Sequence, residues 1–217
     1  MYQLTFVNES SNESTIIIFQ KDPDPSPGEY SLAWLTKSAV QRDFKGVFDW
    51  KQGYEFVSGW MEGLQPGKVF TAGDSVKADL ENTNAITLAR KTGDMEYAFS
   101  DQRRGPVAGS LLITNATDIP ANTIAEGIAM SGKAAFIVEA QPNIEVLFKP
   151  KPEYWIAYGD FEQGEILDSA LMAQADVLED VLGTKQIYGL PTEVRFPAGV
   201  FSATATLDSN NAWTITY

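Results

Sequence analysis

The sequence predicts an all-β protein, a single-domain antiparallel β-sandwich or jelly roll, and three observations support this. Apolar and polar residues alternate with a period of two along most of the chain, as in residues 2–6, which is typical of half-buried strands. Turn signals built from Gly, Pro, Asn and Ser recur about every 8 to 12 residues, which favours a sandwich or barrel over a parallel α/β sheet. Because no linker or repeat divides the chain, we expect residues 1–217 to form one domain.

The individual strands follow from the same pattern. Residues 2–6 and the β-branched run 14–19 are separated by a polar turn, so we expect them to form a hairpin. Residues 21–28 have prolines at alternate positions, and because proline lacks a backbone donor we predict an extended surface loop. Further strands are predicted at residues 30–36, 44–50, 53–60, 67–72, 85–91, 95–100, 109–115, 124–130, 134–141, 144–148, 153–159, 192–197, 200–207 and 212–217.

One segment breaks this pattern and predicts an amphipathic helix. Residues 168–182 are rich in helix-forming residues, lack Gly and Pro, and place four apolar side chains on a single stripe. Asp168 is suited to cap the N-terminus, and Gly183 stands where a left-handed residue ends many helices. We expect a helical insertion over about residues 168–190 that either closes one end of the sandwich or contacts another subunit.

The composition excludes several classes of function. The chain has neither His nor Cys, which excludes disulfides, thiolate zinc sites and catalysis that depends on an imidazole or a thiol. Its 29 acidic and 16 basic side chains give a formal net charge of −13, so we expect no nucleic-acid partner. We also expect no cofactor.

The sequence contains no recognisable membrane or export signal. No run approaches the roughly 18 apolar residues that a membrane-spanning helix needs. The first 15 residues lack the basic and apolar regions of a secretory signal peptide. We therefore expect a soluble cytoplasmic protein, with signal-independent export left open.

Two motifs have the residue types of a nucleotide or catalytic site. Residues 127–133 match the G-x-x-x-x-G-K part of a phosphate-binding loop, but Ala134 stands where Mg²⁺ needs a Ser or Thr, so we expect a hairpin turn. Asp160, Glu162 and Glu165 form the densest acidic cluster and could supply paired carboxylates. A glycoside hydrolase is therefore a distant third hypothesis, and we expect that the protein is not an enzyme.

Two charged segments are candidate binding elements. The acidic proline-rich loop offers carboxylates to calcium, which makes Asp22, Asp24 and Glu29 weak metal candidates, although their spacing is not that of an EF-hand. Arg103 and Arg104 form an adjacent basic pair, for which we consider a charged turn or a contact with an acidic neighbouring subunit.

Aromatic residues are the remaining candidates. Trp and Tyr fill cores, but they also stack on sugars and anchor protein partners, and the sequence does not separate inward from outward positions. The interface or ligand candidates of this type are Trp34, Trp60, Trp155, Tyr158, Trp213 and Tyr217.

Several strings resemble one bacterial family. They are YQLTFVNESSN, FQKDPDP, SLAWLTKSA, FDWKQGYEFVSG, GIAMSGKAAFIVEAQPNIEVLFKPKPEYWIAYGDFEQGE and FPAGVFSATATLDSNNAWTI, with AQPN and PEYW the most specific parts. They are similar to RhiA-like proteins, bacterial proteins named for expression in the rhizosphere. The resemblance covers most of the chain, and residues from about 169 to 190 look like an insertion relative to the family. It implies an abundant, regulated, soluble bacterial protein and carries no mechanism or site residues.

Two functions of different classes follow from these observations. The first is a non-catalytic protein that associates with itself, because strand-forming sequence lies at both ends and the motif inventory contains nothing catalytic. The alternative is a lectin-like carbohydrate-binding module, because Trp, Tyr, Asn and Asp are the residue types that stack on and hydrogen-bond to sugars. The expected partners are thus a second copy of the chain or a glycan.

Overall fold

The structure, a computed structural model, describes residues 1–91, 96–169, 171 and 185–217, and these residues form an all-β protein. The predicted fold class is confirmed. The strands are β1 (Tyr2–Asn8), β2 (Ser14–Lys21), β3 (Tyr30–Ser31), β4 (Leu35–Val40), β5 (Lys45–Trp50), β6 (Tyr54–Trp60), β7 (Asp74–Ala78), β8 (Ala85–Arg90), β9 (Tyr97–Arg103), β10 (Leu111–Asn115), β11 (Ile124–Met130), β12 (Lys133–Glu139), β13 (Glu145–Phe148), β14 (Glu153–Gly159), β15 (Thr192–Val194), β16 (Ser202–Leu207) and β17 (Trp213–Thr216).

These strands form four sheets. Sheet I has the order β17-β16-β1-β5, sheet II β15-β14-β2-β4, sheet III β3-β12-β11-β6-β7 and sheet IV β13-β10-β8-β9. Most neighbours are antiparallel, but β1 pairs with β16 and β8 pairs with β10 in parallel. Parallel neighbours cannot be joined by a tight turn, so both pairs bring together segments that are separated in the sequence.

The main core lies where sheet I faces sheet II and sheet III faces sheet IV. The ring centroids of Trp50 and Tyr154 are 5.1 Å apart across the first pair, and those of Phe56 and Phe99 are 6.1 Å apart across the second. Sheets II and III are also covered on their other faces by smaller apolar clusters. This double coverage explains why β2 is buried at every position except Lys21.

The predicted hairpin of residues 2–6 and 14–19 is wrong, because β1 and β2 belong to different sheets. The chain crosses between the sheets after Asn8, whose side chain is fully buried. Its Nδ2 lies 3.3 Å from the carbonyl oxygens of Asn12 and Val40, and its Oδ1 accepts the Ser10 N–H at 3.0 Å. An Asn that satisfies nearby backbone groups suits a corner as well as a hairpin turn, so the local sequence does not distinguish the two.

The predicted turn between the strands at 124–130 and 134–141 is confirmed. Ser131 and Gly132 both have positive φ, at 53° and 74°, which is what a two-residue type I′ turn between antiparallel strands requires. Residues 127–133 are therefore a strand and a hairpin turn and not a phosphate-binding loop. β16 and β17 form a second hairpin around residues 208–212.

Two regions differ from the predicted pattern. Residues 67–72 form no strand, and only Val69 makes an isolated bridge, to Glu165. Residues 30–36 are divided between β3 and β4, and the alternation does not predict β7, because these short strands expose many of their side chains.

The helix predicted over 168–182 lies outside the described residues except for Asp168, Ser169 and Leu171. Within the described ranges, no helix has the length and hydropathy to cross a membrane.

Candidate functional site

Three of the aromatic candidates lie in the interior. Trp34 is fully buried, and its indole N–H donates to the Met130 carbonyl oxygen at 2.8 Å. Tyr158 is also fully buried. Trp155 is 8% exposed, and the Lys21 ammonium lies 3.5 Å from the centroid of its ring. These three side chains stabilise the packing of the sheets and present little surface to a ligand.

Trp60 differs from the other tryptophans because it is exposed. It ends β6, and 62% of its surface is accessible. Tyr97, at the start of β9, packs against it edge to face, with ring centroids 5.9 Å apart and planes at 72°. The Tyr97 hydroxyl donates to the Asp118 carbonyl oxygen at 3.0 Å, which orients the second ring. Trp60 and Tyr97 therefore form a preformed aromatic surface.

A cavity of about 200 Å³ opens beside this surface, where the edge strands β7 and β9 of two sheets meet. Asp74 joins the sheets there, because its Oδ2 accepts the Phe99 N–H at 2.8 Å and its Oδ1 accepts the Ser75 N–H at 2.9 Å. Gly59, which lines this cavity, leaves no room for a side chain, since a Cβ at this position would collide with the Thr71 carbonyl oxygen. The lining residues are Ser58, Gly59, Trp60, Gly73, Asp74, Glu96, Tyr97 and Ile124.

The three calcium candidates are not brought together as a metal site. A hydrogen bond from the Lys149 ammonium at 2.6 Å engages the Asp24 carboxylate and lowers its pKa. Asp22 and Glu29 instead line a different cavity of about 490 Å³. Burial, and then repulsion from Asp22, raises the pKa of Glu29 to about 8. No group of three or more acidic side chains among the described residues could hold a metal ion.

Two of the three carboxylates in the predicted acidic cluster, those of Asp160 and Glu165, have structural partners. Glu165 is 4% exposed, forms an ion pair with Lys185 and accepts the Glu162 N–H at 3.0 Å. Asp160 accepts the hydroxyl of Ser14 at 3.1 Å. A glycosidase needs two carboxyl groups facing each other across the scissile bond, and these contacts direct the carboxylates elsewhere.

Arg103 and Arg104 lie in different environments. Arg103, the last residue of β9, donates from Nη1 to the Thr87 hydroxyl at 3.0 Å and to the Asp101 carboxylate at 3.1 Å. Arg104 follows the strand and is exposed. Of this pair, only Arg104 is presented freely to solvent.

Among the described strands β17 pairs only with β16, so it is an edge of sheet I. The Asp208 N–H donates to the Ala212 carbonyl oxygen at 3.0 Å. This bond fixes which residues of the hairpin form hydrogen bonds between β16 and β17, because only every second residue does so. The backbone groups of alternate β17 residues point toward β16, while those of Trp213 and Ile215 point outward. No backbone hydrogen bond in the described part of the chain uses the outward groups of these two residues.

The segment of the chain that contains this edge carries almost no charge. Residues 196–217 include one charged side chain, Asp208, in a chain whose net charge is −13. On the outer face of sheet I, threonines form two rows across neighbouring strands near this edge: Thr216, Thr204 and Thr5, and then Thr214 and Thr206. A second copy can therefore approach here with little repulsion between like charges.

Aromatic side chains cluster near the end of the same edge. Tyr217 is 56% exposed and Phe201 is 53% exposed. The Tyr217 ring lies 6.3 Å from that of Phe196, which lies 4.9 Å from that of Tyr2. Trp213 is half-buried and packs against the main core, so β17 is anchored to the sandwich on one face and open along one edge.

One buried acid is absent from the sequence-based candidates. Glu126 in β11 is fully buried; its Oε1 accepts the Asn115 Nδ2 at 2.7 Å, and its Oε2 has no partner among the described residues. Burial raises the pKa of Glu126 to about 7 against the opposing effect of the Asn115 hydrogen bond. The signal in the sequence is an acid at an even position of a strand whose other even positions, Ile124, Ile128 and Met130, are apolar.

These features define an all-β protein with a free edge strand and a separate exposed aromatic surface. The family model for RhiA matches residues 1–217, and the chain belongs to the RhiA family. Protein RhiA from Rhizobium leguminosarum bv. viciae is 29% identical over 216 residues, which is 99% of this chain and 85% of that relative. No solved structure matches the chain. The family assignment made from the sequence strings is confirmed, and function has to be argued from the surfaces.

Proposed function

We propose that the protein acts without catalysis, by self-association through the free edge of β17. The observation that carries this proposal is the row of outward N–H and C=O groups at Trp213 and Ile215 that have no backbone partner in the described chain. Proteins that do not use such an edge block it with Lys, Pro, a bulge or a covering segment. β17 contains no charged residue and no Pro, and its register with β16 is unbroken.

A second copy fits this edge in an antiparallel, two-fold arrangement. Pairing centred on Ile215 places this residue opposite its own copy and Trp213 opposite the partner's Tyr217. All of these residues have outward backbone groups, so each bonded pair matches donors to acceptors. The result is one eight-stranded sheet made from two four-stranded copies of sheet I.

The balance of forces also supports this contact. Exposed apolar area near the strand, from Phe201 and Tyr217, adds about 2.5 kcal/mol for each 100 Å² that association buries. The net charge of −13 opposes association, but it is distributed over the rest of the molecule. Salt at about 0.1 M screens charges beyond roughly 10 Å, so a nearly uncharged contact region can bring two copies together.

The test removes one outward donor that bonds to no other backbone group of the described chain. Ile215→Pro deletes an N–H that does not bond to β16, and edge strands tolerate Pro at such positions. Ile215→Thr is the matched control, because it removes apolar bulk but keeps the N–H. In a sedimentation-velocity concentration series, we expect oligomers for the wild type and for Ile215→Thr, and a monomer for Ile215→Pro. A wild-type chain that stays monomeric at high concentration would overturn the proposal.

A glycan is the second candidate partner, because Trp60 and Tyr97 form an exposed aromatic surface beside a polar cavity. Flat aromatic faces stack on the apolar faces of sugar rings, and carboxylates accept hydrogen bonds from sugar hydroxyls. This surface belongs to sheets III and IV, whereas the free edge belongs to sheet I, so mutation can separate the two functions. A glycan microarray with the purified protein, with and without calcium, tests this candidate, and signals no higher than background would remove it.

A further inference from the structure

We infer that the Trp60 surface is a binding site for one pyranose ring of a neutral or amino sugar, an inference that rests on glycan binding, the second candidate function. Trp60 supplies the stacking platform, since it is 62% exposed although it is the largest apolar side chain type. A hexopyranose has one face made largely of C–H groups, which packs on an indole ring while its hydroxyls stay in water or reach polar groups.

The cavity next to Trp60 supplies those polar groups. Asp74, the first residue of β7, and Glu96, just before β9, line the cavity, and carboxylates accept hydrogen bonds from hydroxyls or from an ammonium group. Its volume of about 200 Å³ is smaller than the roughly 300–1,000 Å³ of pockets that enclose drug-sized ligands. The site therefore accommodates one ring of an oligosaccharide and leaves the adjoining rings in solvent.

Charge determines the class of sugar. Among the described residues that line the cavity, the two charged groups, Asp74 and Glu96, are both acidic, and none is Lys or Arg. Lys91 forms an exposed ion pair with Glu96 at 3.8 Å, but it does not line the cavity. A uronic acid or another anionic sugar would face repulsion from Asp74 and Glu96, while a neutral or amino sugar would not.

The site needs little reorganisation to bind. Asp74 is held by the Phe99 N–H, and the Tyr97 ring is held by the hydrogen bond from its hydroxyl to the Asp118 carbonyl oxygen. Groups that are already oriented lose less conformational entropy when a ligand binds. The bond between Asp74 and Phe99 also joins β7 to β9, so the site depends on two different sheets being in place.

The experiment compares four variants on three classes of probe. The probes are neutral hexose oligosaccharides, glucosamine oligomers and uronic-acid oligomers, and the readouts are microarray binding and acrylamide quenching of tryptophan fluorescence. We expect binding to at least one neutral or amino probe, about tenfold or more weaker binding for Trp60→Ala, and partial retention for Trp60→Phe. Asp74→Asn should also weaken binding. Tyr217→Ala, which removes an equally exposed aromatic ring from sheet I, should bind as the wild type does.

The outcomes distinguish a failure of the Trp60 site inference from a failure of glycan binding itself. Bound sugar should protect the wild type from quenching and leave Trp60→Ala unprotected. If no probe binds, glycan binding itself is overturned, and the site with it. If binding and protection are unchanged in Trp60→Ala, glycan binding stands and the site inference is overturned. Preference for uronic-acid probes overturns the charge argument and the class of sugar inferred from it.

Discussion

The side-chain amide of Asn8 and the hydroxyl of Tyr158 lie 3.2 Å apart in the interior, and this hydrogen bond joins sheet I to sheet II. The same hydroxyl lies 2.8 Å from the carbonyl oxygens of Asn12 and Val40. Polar groups from four segments thus satisfy one another at the corner where the chain leaves β1. Because Asn8 and Tyr158 are fully buried, removing either would leave polar groups without a partner.

We predict that Tyr158→Phe lowers the free energy of unfolding by about 1–3 kcal/mol, the usual cost of leaving buried polar groups unsatisfied. Tyr188→Phe is the control, since its ring packs against Tyr158 at 5.3 Å but its hydroxyl makes no hydrogen bond to the described residues. Urea denaturation of the three proteins measures the difference. Equal losses of unfolding free energy in both variants would show that the hydrogen bonds of the Tyr158 hydroxyl contribute nothing specific to stability.

Residue 127 is predicted to tolerate no side chain. A Cβ there would collide with the Phe136 carbonyl oxygen, so Gly127→Ala has to push β11 and β12 apart and should cost at least about 2 kcal/mol. Gly53→Ala is a matched control, because nothing lies within 4 Å of the added Cβ. We expect its effect on thermal or urea unfolding to stay within about 0.5 kcal/mol. If Gly127→Ala lost no more stability than Gly53→Ala, the close approach of β11 and β12 would be contradicted.

The stability of the protein should depend on the protonation of Glu126. Burial raises the pKa of Glu126 from 4.5 to about 7, so the folded chain holds this proton more tightly than the unfolded chain. The resulting stability is complete below about pH 4.5 and is lost as the pH rises through about 7. At about 1.4 kcal/mol per pKa unit, the loss is about 3 kcal/mol.

Glu126→Gln removes this titration and keeps the size of the side chain. We predict that the stability of the variant relative to the wild type rises between about pH 5 and about pH 8, as measured by urea denaturation at both values. The comparison cancels the effect of the other carboxylates, which titrate in both proteins. A relative stability that does not change with pH would contradict the prediction.

Self-association should strengthen with salt, because the net charge of −13 repels a second copy and the β17 region is nearly uncharged. Sedimentation velocity at about 0.05 M and about 0.5 M NaCl should show a larger oligomer fraction at the higher concentration. Arg104→Gln should leave this response unchanged. Weaker association at high salt would instead indicate ion pairs across the contact, with the exposed Arg104 as the first candidate.

The fold class was accessible from the sequence because burial on one face leaves an alternating pattern, as in β1 and β16. Strand pairing was not accessible in the same way. An alternating segment records which face is buried but not which strand lies beside it, so β1 and β2 are predicted as a hairpin although Asn8 turns the chain into another sheet. The 131–132 turn was predictable because type I′ geometry places strict demands on two adjacent residues.

The candidate surfaces were predictable only in part. Trp34 and Trp60 both lie in strand-like sequence, yet one is fully buried and the other is mostly exposed. Trp34 packs between Trp50 of sheet I and Tyr154 of sheet II, whereas Trp60 is the last residue of β6 and lies beside an open cavity. Asp74 completes the Trp60 surface from the next strand, but Tyr97 comes from a different sheet, so no local pattern could place it beside Trp60. The free edge of β17 likewise depends on the strand order of the whole sheet.

The parallel pairing of β1 with β16 also constrains how the chain can fold. Residues 3–8 of β1 lie beside residues 202–207, so most of the chain has to be synthesised before β1 gains this neighbour. Until then one side of β1 has an open edge, and the sheet depends on closing a very long loop. Contacts between such distant segments slow folding and leave intermediates exposed to wrong partners. Sheet I can therefore be completed only after nearly the whole chain has been synthesised.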